Sequence, residues 1–162
     1  MRMLSRLAGF GVALLLVAGA TATVSAADQD KLGIVKHRQD TMKQQAGDLK
    51  YLANYAKGVS GDQADAGYKV DDLTFISGKI LSLFVPGTSS ADVPGKTYAK
   101  PIIWTEWKEF EAIIPKVEDA ETILAAAVQK NDKPAILKAI GNLGKNGCGA
   151  CHSKFREKMP KQ

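Results

Sequence analysis

Apolar residues recur at helical spacing along most of the chain. Leu32, Val35, Met42, Ala46, Leu49, Leu52 and Ala56 follow one another at threes, fours and one seven, which predicts a helix over about residues 28–57. Asp28 or Asp30 can cap its start, and Gly58 fits the position just past its last turn. Leu73, Ile76, Ile80 and Leu83 (or Phe84) stripe a second helix over about 64–84, which Pro86-Gly87 ends. Residues 87–100 are rich in Gly, Ser, Pro and Asp without periodicity. They form the longest loop, a crossover or a functional segment. Pro101 suits the first turn of a third helix. Ile103, Trp104, Trp107, Phe110, Ile113 and Ile114 line it, and Val117, Ile123, Leu124 and Ala127 carry it to about residue 129 with a kink at Pro115. After Asn131-Asp132, Pro134 opens a fourth helix bearing Ile136, Leu137, Ile140, Leu143, Cys148, Cys151, His152 and Phe155, ending near Pro160. Four helices with short links and one long loop predict an all-α, antiparallel up-down-up-down four-helix bundle, in which sites lie between facing helices.

The first residues depart from this pattern. Arg2 and Arg6 precede an apolar run from Leu7 to Ala20, and Val24-Ser25-Ala26 offers small residues for cleavage. Residues 1–26 therefore read as a signal peptide, cut after Ala26 or Ala27, with the bundle over 27–162. The apolar run is about 14 residues, short of the ~20 that a spanning helix needs. Cleavage rather than a retained anchor is expected, so the mature chain has no stable membrane anchor. Loss of Arg2 and Arg6 lowers the 22 basic residues to about 20 against 17 acidic ones, about +3 instead of +5. So mild an excess does not point to nucleic acid, though it suits an acidic redox partner.

The chemistry is concentrated in Cys148-Gly149-Ala150-Cys151-His152, which holds both cysteines of the chain. Thiols three apart on a helix can reach the two vinyl groups on one edge of a haem, with the adjacent imidazole beneath the ring as iron ligand. Cys-x-x-Cys-His is the c-type attachment signature, and His is a standard proximal ligand. The alternatives fit less well. A thioredoxin-like pair belongs at a strand-to-helix junction, and no strand pattern is nearby. Zinc needs about four ligands, and His37 is the only other imidazole. A three-residue disulfide leaves His152 unexplained. Export agrees with the motif, because c-type haem is attached outside the cytoplasmic membrane.

From about Gly33 to Lys158 the chain resembles the class II c-type cytochromes, the cytochrome c′ family. The resemblance is carried by Val35-Lys36-His37-Arg38-Gln39-Asp40-Thr41-Met42-Lys43, by Leu83-Phe84 before Pro86, by Pro101-Ile102-Ile103-Trp104, and by Cys148 to Arg156. The late position of the motif agrees, since only ten residues follow His152. Met159, about two turns on along the same helix and face, cannot reach the opposite side of the haem. The resemblance implies one covalent haem c on Cys148 and Cys151, with His152 as axial ligand. It implies Met42 on the distal face, either packed there or bonded to iron as a sixth ligand. It also implies Arg38 near a propionate and Arg156 beside the proximal face. His37 lies about 140° around the helix from Met42 and is expected to be exposed. The implied function is periplasmic single-electron transfer with redox partner proteins. The alternative is nitric oxide or carbon monoxide as a small gas ligand on five-coordinate iron. An enzyme is not expected, because no distal His is available for acid–base work. Members of the family are often homodimers through the first two helices.

Overall fold

The computed structural model describes residues 26–159. The signal expected over 1–26 falls outside these residues apart from Ala26. Among the described residues the chain is all-helical, apart from one isolated bridge, and forms the four-helix bundle. Helix α1 spans Ala26–Ala56. Asp28 sits in its first turn, so neither Asp28 nor Asp30 is the N-cap. An acidic group in a first turn still complements the helix dipole. The far end matches expectation: Gly58 has φ 71, Gly58 N–H donates to Tyr55 O and Val59 N–H donates to Asn54 O, the paired bonds of a Schellman stop.

Helix α2 spans Gln63–Ser77, with the Asp62 carboxylate accepting from the Asp65 N–H at 2.9 Å. It is shorter than its apolar stripe. The chain turns at Gly78-Lys79, and Ile80–Leu83 form a 3₁₀ turn, so Ile80 and Leu83 are buried from a separate segment. The expected third helix is three pieces: α3 (Ile102–Thr105), α4 (Trp107–Glu111) and α5 (Ile114–Gln129). Pro115 does not kink a continuous helix. It occupies the first turn of α5, where its missing N–H costs nothing and its ring meets no earlier helical carbonyl. The α5–α6 turn repeats the first stop, with Asn131 at φ 52 and Asp132 N–H donating to Ala127 O at 3.0 Å. The hydroxyl of Tyr55 donates to Asn131 Oδ1 at 2.5 Å, which ties this turn to α1.

The fourth helix is also composite. Helix α6 (Lys133–Asn142) is capped by the Asp132 side chain, a π-helical turn covers Leu143–Cys148, and α7 covers Gly149–Phe155. The helix does not reach Pro160, which lies outside the described residues. At Arg156 the chain becomes extended and bridges to Ala99. Gly147 explains the close packing here: a Cβ would stand 2.9 Å from Leu143 Cδ1 and 3.4 Å from Val117 Cγ2.

Two apolar clusters form the core. The larger joins Leu52, Tyr55, Val70, Leu73, Val117, Leu124, Ile136 and Leu143 from α1, α2, α5, α6 and the π turn. The smaller is mainly aromatic. Phe110 meets Phe84 at 4.7 Å, Phe155 at 5.2 Å and Trp107 at 5.6 Å between ring centroids. The pairs with Phe84 and Phe155 are edge-on, a geometry that adds to area burial. Phe110 is 2% exposed and is the common member. Phe110→Ala should destabilise the protein by about 3–5 kcal/mol, read as a lower urea midpoint at unchanged slope.

Candidate functional site

Cys148, Cys151 and His152 run from the end of the π turn into α7. A π turn takes more residues than an α turn and recurs at functional sites. Here Gly149 N–H bonds back five residues to Gly144 O, and the residues that follow are shifted relative to the α6 stripe. Both thiols are free and half-buried. They lie against different parts of the core: Cys148 packs on the larger cluster and Cys151 on the aromatic one. A group joined to both sulfurs is held where the clusters meet.

Burial sets the protonation of this stretch. It pushes the Cys148 thiol up, with a further upward push from the Glu121 carboxylate. It pushes the Cys151 thiol up to about 11, the Cys148 charge adding to it. Both sulfurs are therefore thiols at neutral pH. Among the described residues no three His, Cys, Asp or Glu gather to hold a free metal ion. Burial, and secondarily the charge of Arg156, lowers the His152 pKa, so its imidazole is neutral and has a lone pair for a metal. Free, half-buried thiols beside a neutral imidazole are the donor set that covalent haem requires.

Arg156 is exposed on extended backbone rather than one helical turn beyond His152. Its strand is fixed by the Ala99 bridge and by Glu157 N–H donating to Tyr98 O at 2.8 Å. Lys154, just before it, pairs with Glu106 and Glu109 and closes α7 onto α4 and the residue preceding it.

Arg38 is 3% exposed, and it fills the seven-residue gap between Val35 and Met42 in the α1 stripe. Its Nη1 donates to Leu83 O at 3.3 Å and Thr88 Oγ1 at 3.0 Å. Its Nη2 donates to Thr88 O at 2.9 Å and Thr97 Oγ1 at 3.0 Å. The guanidinium also stacks 4.8 Å from the Phe84 ring centre. All these partners are uncharged, and burial lowers the Arg38 pKa to about 10. No bond from Nε–H to a described residue accompanies them. Arg38 therefore organises the 87–100 crossover, a role that periodicity did not signal. Through Phe84, Phe110 and Phe155 it connects to the aromatic cluster that holds Cys151. Met42, one turn after Arg38, is half-buried and belongs to neither cluster of buried residues. His37 is exposed, as expected. Two grooves on the outside of α5, one against α6 with Ile123 and Lys130 and one against α2 with Gly67 and Ala125, lie away from the cysteines.

A helical bundle with Cys-x-x-Cys-His near its C-terminal end is the architecture of a class II haem protein. Residues 33–156 match the family model described as Cytochrome C'. The chain is 31% identical over 123 residues to the cytochrome c′ of Pararhodospirillum photometricum, covering 76% of this chain and 95% of that one. A cytochrome c′ structure from Rhodobacter sphaeroides superimposes with a TM-score of 0.70 at 32% identity, covering 80% of this chain and 99% of that one. The nitric oxide complex of a variant cytochrome c′ from Alcaligenes xylosoxidans gives 0.67 at 27% identity, covering 80% and 97%. The chain belongs to the cytochrome c′ family, whose members bind one covalent haem c.

Replacing Arg38 by Leu leaves buried carbonyl and hydroxyl groups without donors. A loss of about 3 kcal/mol is expected, with faster amide exchange confined first to residues 87–100. Lys should not rescue it, since an ammonium lacks the planar fork.

Proposed function

We propose that the protein is a periplasmic one-electron carrier whose haem c is joined to Cys148 and Cys151 and ligated by His152. The observation that carries this reading is the pair of free thiols, packed on different apolar clusters, on one turn with a neutral imidazole. When bound, haem supplies a reversible single-electron iron couple whose potential follows axial ligand and burial. His152 presents its lone pair from α7. Arg38, with four N–H groups already engaged, keeps Nε–H for an anionic haem substituent and holds the crossover in place. Arg156 adds positive charge near His152. The exposed position of His37 supports electron exchange over acid–base catalysis, because the only second imidazole faces away from the core. Export rests on the signal-like residues 1–26. No described helix is long and apolar enough to cross a membrane.

Binding of nitric oxide or carbon monoxide is the second reading, favoured by the nitric oxide complex of the Alcaligenes relative. Met42 separates the two. A thioether bonded to iron fits transfer, and a Met42 that only packs leaves a position for a gas. The flexible side chain of Met permits either arrangement.

Denaturing mass spectrometry of the exported protein should show the mature chain plus one haem, and haem extractable by acidified organic solvent would contradict the attachment. For the electron-carrier reading, the ferric protein should be low-spin with a weak far-red thioether band. Met42→Ala should remove that band, raise the spin state and speed carbon monoxide binding. A wild type that is already high-spin, with unchanged spin state in Met42→Ala, would move the function to gas binding.

A further inference from the structure

Glu121 of α5 is 1% exposed and lies among the apolar residues of the larger cluster. Its Oε1 accepts a hydrogen bond from Ser77 Oγ of α2 at 2.6 Å. Ser77 Oγ accepts in turn from Gln45 Nε2 of α1 at 3.2 Å. Oε2 is fully buried and has no partner among the described residues. A polar file thus crosses the bundle from α1 to α5 and ends in a carboxyl without a counter-ion. Asp48, the other buried acid among the described residues, differs because Lys69 stands 2.9 Å from it.

The groups facing Glu121 are neutral or negative. They are Ser77 from α2, which itself accepts from Gln45 of α1, Glu118 three residues earlier in α5, and Cys148 from the π turn. Helix α6 meets the same core with Ile136 and Ala139. Burial raises the Glu121 pKa above the usual glutamate range, the Ser77 bond lowers it in part, and Glu118 raises it again. A carboxylate buried without a cation is strongly disfavoured, whereas a positive charge gained nearby favours it. The Cys148 sulfur lies within reach of the Glu121 field, so a haem joined there brings such a charge when it is oxidised.

We propose that Glu121 is a proton-binding site coupled to the redox state of the haem, taking up a proton as the protein accepts an electron and releasing it as the electron leaves. The proposal rests on haem attachment at Cys148 and Cys151. The balance is one electron to ferric iron from an external one-electron reductant such as dithionite, and one proton from solvent to Glu121, so the interior keeps its net charge. No covalent bond other than O–H forms or breaks.

The test is a spectroelectrochemical titration of the haem-loaded protein across pH, with infrared redox difference spectra. The wild-type midpoint potential should fall with rising pH through one window, and reduction in that window should take up close to one proton. The ferrous form should show a protonated-carboxyl stretch that the ferric form lacks. Glu121→Gln should lose the window, the proton uptake and the stretch. Ser77→Ala removes the donor that stabilises the carboxylate, so its window should move to higher pH. That variant decides the matter if Glu121→Gln does not fold. Equal pH profiles in wild type and Glu121→Gln, or an unmoved window in Ser77→Ala, would overturn the coupling while leaving the haem assignment intact. A chain without covalent haem would overturn both.

Discussion

Two sulfurs and an imidazole within five consecutive residues can serve one rigid cofactor only if their stretch of chain is held in a single conformation. The bundle meets this constraint by placing Cys148 against the larger apolar cluster and Cys151 against the aromatic one. At Gly147 the π turn lies directly against Val117 of α5, and a side chain there would first displace Leu143 of the same turn. The Lys154 pairs with Glu106 and Glu109 then close α7 from outside. Exposed ion pairs contribute little individually, so the packing of Phe155 on Phe110 is the stronger anchor.

The crossover depends on a different interaction. Arg38 is a buried cation satisfied by carbonyls, hydroxyls and an aromatic face instead of a carboxylate. Such a group is costly to bury unless its hydrogen bonds are made, and its partners come from the end of the 3₁₀ turn and both ends of the loop. The loop conformation and the burial of Arg38 therefore require each other. An uncompensated positive charge connected by aromatic contacts to the cysteine turn is also suited to an anionic group on the cofactor.

Glu121 presents the opposite situation, an acid without a cation inside the same core. Arg38 is accounted for by the loop it holds, whereas Glu121 is not explained by stability alone, since an apolar residue of similar volume would be easier to bury there. Glu121 lies on α5, which packs directly against the π turn that carries Cys148, whereas Arg38 reaches the cysteine stretch only through Phe84, Phe110 and Phe155.

Much of this architecture was legible in the sequence. The 3.6-residue periodicity located the bundle helices, because each buries one face and repeats that requirement every turn. Gly58 marked the stop of α1, because the left-handed conformation there is a local property of the chain. The cofactor motif was legible because all its atoms come from five adjacent residues. The breaks were not. An apolar stripe continues through Gly78, Glu106 and the π turn whether or not the backbone remains α-helical, so Ile80, Leu83 and Pro115 were assigned to longer helices than they occupy. Arg156 was placed on a helix, yet a bridge to Ala99, 57 positions away, draws it into extended backbone. The resemblance placed Arg38 near a propionate, but its burial and that of Glu121 follow from no local pattern. Only the tertiary structure buries them, because their partners Thr88, Thr97 and Ser77 arrive from distant segments whose approach no local pattern encodes.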